Sequence, residues 1–131
     1  MVRLVVDASA GVELLLDTIR GRSIERQLPK GAEWWVPEHY FVEVASTLRR
    51  ADLRGTIATV RLDEATNRLH TSTIRRAQVA PLVPEAWALR RALTIADALY
   101  VVLAKYLDAT LVTADERLSR APSLGVPAIV P

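Results

Sequence analysis

Two stretches decide the fold: Arg3-Leu4-Val5-Val6-Asp7 near the start of the chain and Ala109-Thr110-Leu111-Val112-Thr113-Ala114-Asp115 near its end. Each opens as a short apolar run rich in β-branched residues, the pattern of a strand buried on both faces. Each then reaches an acid, Asp7 directly and Asp115 after Thr113-Ala114. Between and beyond them the pattern alternates. Residues 10–16 read as a helix capped by Asp7 or Ser9, and residues 18–28 as a second helix stopped by Pro29 and Gly31. Residues 34–36 suit a short strand. Pro37 opens a long helix that ends near Gly55, with proline at its start and glycine just past its end. Residues 62–73 predict another helix, 78–80 a strand and 84–91 a short helix. Residues 95–107 are apolar almost all round, so that helix should be buried. A short helix follows Asp115, and residues 127–130 suit a last strand. Strands alternating with helices predict an α/β protein, a three-layer α/β/α sandwich around a central, mainly parallel sheet. Ligands of such sheets bind beyond the C-terminal strand ends, where Asp7 and Asp115 should lie.

At 131 residues the chain suits one domain spanning residues 1–131. It has no cysteine, which removes disulfide scaffolds, cysteine–zinc sites and thiol nucleophiles. Two histidines, His39 and His70, are too few for a three-histidine metal centre. No glycine-rich phosphate loop is present. No apolar stretch approaches the ~20 residues needed to span a bilayer, and a carboxylate interrupts the start before a signal sequence can form. A soluble, cytoplasmic protein with no membrane partner is expected. Seven arginines between Arg49 and Arg76 against three acids give that segment a net charge of +4. This suits either a solvated helical surface or a face that contacts RNA phosphates.

Asp7 and Asp115 each have a plainer reading, as a helix cap or a first-turn acid. Together, at the edge where α/β sheets place ligands, they point to a site. Asp97 lies in the first turn of the apolar helix, and an ionised carboxylate there needs a partner. That partner is either a backbone N–H, in a capping box with Thr94, or a cation. Clustered carboxylates favour hard cations such as Mg²⁺ or Mn²⁺. On the long helix the apolar stripe is Phe41, Val44, Ala45 and Leu48, which turns Glu43 to the opposite, solvated side.

Four blocks stand in order along the chain: Leu4-Val5-Val6-Asp7-Ala8-Ser9; Glu43-Val44-Ala45-Ser46-Thr47-Leu48-Arg49-Arg50; Ala96-Asp97-Ala98-Leu99-Tyr100-Val101-Val102-Leu103-Ala104; and Leu111-Val112-Thr113-Ala114-Asp115-Glu116-Arg117-Leu118. They resemble the signature blocks of a PIN domain and, more narrowly, of a VapC-type toxin of a bacterial toxin–antitoxin pair. Residues 54–92 carry no matching motif, and Gly11 departs from the pattern, which commonly has a bulky apolar residue there. The resemblance implies a Mg²⁺-dependent ribonuclease. It implies that Asp7 and Asp97 are metal ligands, that Glu43 and Asp115 complete the acidic set, and that Ser9 and Thr113 support it. It also implies a homodimer held inactive by a VapB-type antitoxin. The exposed aromatic potential of Trp34, Trp35, Tyr40 and Phe41 suits such a dimer.

The chemistry agrees. A carboxylate-held divalent cation can polarise a phosphodiester and help deprotonate a water nucleophile. Without the four acids the rest of the chain carries +6, so a cation-filled site attracts RNA and an empty one repels it. An RNA- or partner-binding module without catalysis has no need of all four acids. A signalling receiver domain would need an acidic pair beside the first strand and a lysine after a later one. A phosphatase of the D-x-D type lacks its second Asp in Asp7-Ala8-Ser9.

Overall fold

Leu4, Val5 and Val6 are sealed from solvent because β1 (Arg3–Val6) is the middle strand of a five-stranded sheet. The computed structural model describes residues 1–120 and 125–131. The strand order is β3-β2-β1-β4-β5, and every pair is parallel. From β1 the chain passes through α1 (Ala8–Leu15) and α2 (Ile19–Gln27) to β2 (Glu33–Pro37). It continues through α3 (Tyr40–Arg54) and α4 (Thr59–His70) to β3 (Arg75–Ala77). A 3-10 turn at Ala80–Leu82, α5 (Val83–Ala88) and α6 (Ile95–Leu107) then carry it back past β1 to β4 (Thr110–Val112). α7 (Glu116–Arg120) and β5 (Ala128–Ile129) complete the order. Crossovers between parallel strands are right-handed as a rule, which assigns α1–α4 to one face of the sheet and α5 and α6 to the other; α1 packs on α2, α3 and α4, and α5 on α6. The strand order reverses between β1 and β4, and that point is where such sheets open a crevice.

α6 packs against β1, β2 and β4, and residues 98–104 are all buried, as its unbroken apolar composition requires. The strand expected at residues 78–80 lies instead at Arg75–Ala77. It is an edge strand, so two charged residues can occupy it with their guanidinium groups outside. Arg75 lies 5.9 Å from the Trp35 ring centroid and Arg76 lies 4.8 Å from that of Phe41.

The four aromatic residues expected to favour a dimer differ in their burial within the chain. Tyr40 is buried, and Trp34, Trp35 and Phe41 are half-buried against the core. Gly11 explains part of this. A Cβ at Gly11 would stand 2.3 Å from the Tyr40 hydroxyl and 2.7 Å from its Cε2. The phenol ring therefore occupies the volume that a bulky residue 11 would fill. Gly11→Ala is expected to cost about 1–2 kcal/mol in urea unfolding, overpacking outweighing the better helix propensity. In a Tyr40→Leu background the same substitution should be neutral or stabilising.

Candidate active site

Asp7 follows the last residue of β1, and its backbone N–H donates to the Val112 carbonyl of β4 at 3.0 Å. This bond places Asp7 beside Thr113 at the reversal point of the sheet. Its side chain is only 4% exposed. Oδ1 accepts from the Ser9 hydroxyl at 2.6 Å and from the Ala10 N–H at 2.9 Å, which makes Asp7 the N-cap of α1. Oδ2 accepts from the Thr113 hydroxyl. Every one of these donors is neutral, and Oδ2 keeps acceptor capacity for a ligand. Ser9 also accepts from the Ala114 N–H at 2.9 Å, and Thr113 from the Asp115 N–H at 3.0 Å. The two hydroxyls thus tie the β4–α7 turn to the start of α1.

Asp115 precedes α7 and accepts from the Arg117 N–H at 2.9 Å, so it caps that short helix. At the start of α6 the Thr94 hydroxyl accepts from the Asp97 N–H at 3.2 Å. The reciprocal bond of a capping box, from the Thr94 N–H to the Asp97 carboxylate, is not made. The Asp97 side chain is left half-buried and turned to the cavity it lines.

Glu43 corrects the periodicity. α3 buries Tyr40, Val44 and Leu48, whereas Ala45 is exposed. The buried face is therefore rotated from the expected stripe, and Glu43, Ser46 and Thr47 lie half-buried on its flank. Tyr100 of α6 donates its hydroxyl to Glu43 Oε1 at 2.6 Å, and His39 Nε2 stands 3.5 Å from the same oxygen. Sequence reasoning missed both partners. The tyrosine lay hidden in an apolar run, where only its hydroxyl marked it as needing a buried partner.

All four acids line one cavity of about 520 Å³, with Ser9, Ser46, Thr47, Arg50 and Tyr100 on the same walls. A larger cavity of about 630 Å³ opens beside Trp34 and Tyr40 and includes none of the four. Burial, reinforced by the charge of Asp97, pushes Asp7 up to about 6, against the pull of its Ser9, Thr113 and Ala10 bonds. Asp97 is also raised, first by burial and then by the charges of Asp115 and Glu43, with the Thr94 hydroxyl and Arg117 opposing. Burial and the bond to Glu43 hold Tyr100 far above the usual phenol range, so it remains a donor.

Among the described residues, no three acidic or imidazole groups converge into a ready-made metal cage. The donor set nevertheless fits a hard cation. It consists of carboxylate and hydroxyl oxygens, it holds excess negative charge, and its most buried carboxylate has only neutral partners.

The model of the PIN domain matches residues 4–124. The chain belongs to the PIN domain family. This PIN domain is 37% identical over 119 residues to Ribonuclease VapC3 of Mycobacterium tuberculosis, covering 91% of this chain and 87% of that protein. Its fold matches Mycobacterium tuberculosis VapC20, described as a sarcin–ricin loop cleaving toxin, with a TM-score of 0.68 and 18% identity over 91% of this chain and 95% of that one. It also matches VapBC2 of Rickettsia felis bound to a promoter DNA fragment, with a TM-score of 0.64 and 12% identity over 96% of each chain. Among the described residues of this PIN domain, no helix is long and apolar enough to cross a membrane.

The folded-state pKa of Asp7 lies above the ordinary value of 3.8 for a free aspartate. Its ionisation therefore costs no stability below about pH 4, a growing amount from there to about pH 6, and about 3 kcal/mol above it. Asn retains the cap. Asp7→Asn should match the metal-free wild type in thermal unfolding at pH 4 and exceed it at pH 8.

Proposed function

We propose that this PIN domain is a Mg²⁺-dependent endoribonuclease that cleaves structured RNA as the toxin of a toxin–antitoxin pair. One observation carries the reading: four carboxylates from four separate elements line a single cavity at the reversal point of the sheet. Asp7 and Asp97 are the principal cation ligands, Glu43 and Asp115 complete the negative set, and Ser9 and Thr113 hold Asp7. Mn²⁺ is the alternative cation, with the same hard-oxygen preference. The bound ion would polarise the scissile phosphate and supply a nucleophilic water. The names of the curated relatives support the ribonuclease reading, and the VapBC2 likeness supports a VapB-type antitoxin as partner. The homodimer rests on family membership. The reading places the protein in the cytoplasm, where its RNA lies.

Six of the seven arginines of the central segment divide into two groups. Arg61 and Arg68 of α4 donate to the Leu16 and Leu15 carbonyls at the end of α1, and Arg75 and Arg76 lie over Trp35 and Phe41. These four bind the protein to itself. Arg50 lines the carboxylate cavity, and Arg49, exposed on α3, lines a neighbouring hollow that shares Val42 and Ser46 with it. The proposed phosphate contacts are therefore on α3.

Asp97→Asn keeps the side chain's size and removes its charge. It should lose most RNA cleavage while keeping its fold by circular dichroism, and raised Mg²⁺ should recover part of the activity. Full cleavage in EDTA, or wild-type activity of Asp97→Asn, would instead identify a different chemistry, and RNA binding without cleavage by the wild type in Mg²⁺ would identify a binding module. Arg49→Gln with Arg50→Gln should weaken RNA binding and reduce the salt slope of log K by about 1–2. Arg61→Gln with Arg68→Gln should lower the urea midpoint and leave that slope unchanged.

A further inference from the structure

Glu43 and Asp97 stand on different helices, α3 and α6, and two hydrogen bonds cross between those helices beside them. From the N-cap of α3, His39 Nε2 meets the Ala96 carbonyl at 2.9 Å, one residue before Asp97. A carbonyl only accepts, so Nε2 carries the hydrogen. From α6, Tyr100 donates to Glu43 Oε1 at 2.6 Å. His39 and Glu43 are one turn apart on α3, and Asp97 and Tyr100 are one turn apart on α6. The two rings close the gap, with centroids 4.8 Å apart and planes at 43°. His39 Nδ1 is buried and has no partner. The polar contribution of this ring to the fold therefore comes entirely through Nε2.

Each bond fixes something different. The His39 bond holds the backbone of the first α6 turn, and with it the root of Asp97, against α3. The Tyr100 bond fixes the Glu43 carboxylate itself, which is otherwise a long side chain with several rotamers. We propose that His39 and Tyr100 are positioning residues, a cross-helix clamp that sets the separation of Glu43 and Asp97 and so the size of divalent cation the cavity prefers. The inference rests on the cation-dependent reading above. Mg²⁺ demands short, near-octahedral coordination, whereas Ca²⁺ accepts longer and more variable distances. A rigid pair of carboxylates therefore favours Mg²⁺, and a loosened pair loses that preference.

Calorimetric titration of Mg²⁺ and Ca²⁺ into the RNA-free protein tests this apart from catalysis. Tyr100→Phe keeps the ring and removes the donor. It should weaken Mg²⁺ binding about tenfold while changing Ca²⁺ binding by less than about threefold. His39→Phe should shift the ratio the same way, and His39→Gln, which retains an N–H donor, should restore part of it. In a Glu43→Gln background Tyr100→Phe should leave the Mg²⁺/Ca²⁺ ratio where it is. An unchanged ratio in Tyr100→Phe, or equal losses for both cations, overturns the clamp while leaving the cation site standing. If the wild type binds neither cation, the cation-dependent reading itself fails and the clamp with it.

Discussion

A buried carboxylate whose hydrogen-bond partners are all neutral sets the terms for this molecule. Asp7 occupies the seam between β1 and β4, sealed on one side by the sheet and on the other by the first turn of α1. A salt bridge would be the usual compensation for such burial. Here the chain supplies only two hydroxyls and a backbone N–H. They fix the orientation of the carboxylate without neutralising it. The same groups organise their surroundings, because Ser9 and Thr113 also accept backbone N–H groups from the turn that leads to Asp115. One residue is therefore a helix cap, a joint between strands and an unsatisfied charge.

The remaining acids reach the cavity by separate routes. Asp115 arrives on the turn after β4, Asp97 on the opening turn of a helix whose body is wholly buried, and Glu43 on the flank of α3. Since each element has its own packing constraint, the negative charge is assembled by the tertiary fold and not by any local segment. The basic residues show the converse. Much of the positive charge of the central segment is used inside the molecule, closing the end of α1 and shielding aromatic rings. Of the arginines in that segment, Arg50 lines the acidic cavity.

The sheet, its parallel sense and the burial of α6 were legible because they follow from apolar runs and their period. Asp7, Asp97 and Asp115 were legible because each sits at an element boundary that pattern alone can locate. Glu43 was not, except by resemblance. Its helix carries Tyr40 and Phe41 side by side and a small, exposed Ala45, so the apolar stripe has an ambiguous phase, and only the packing of Tyr40 into the Gly11 hollow settles it. The edge strand was displaced because Arg75 and Arg76 carry no β signal. Their strand conformation comes from pairing with β2. The burial of Tyr40 was not legible because composition counts rings but cannot show that a glycine has made room for one.

The order of strands has a consequence for biosynthesis. β1 leaves the ribosome well before its neighbour on the cavity side, β4, and that pairing joins Val6 to Val112. Until β4 emerges, Asp7 has no Thr113 and the cavity lacks one wall. A nascent or prematurely terminated chain therefore holds only part of the acidic set, without the geometry that makes it a site. Any activity housed there is withheld until β4 has been synthesised, a delay written into the topology and independent of any inhibitor.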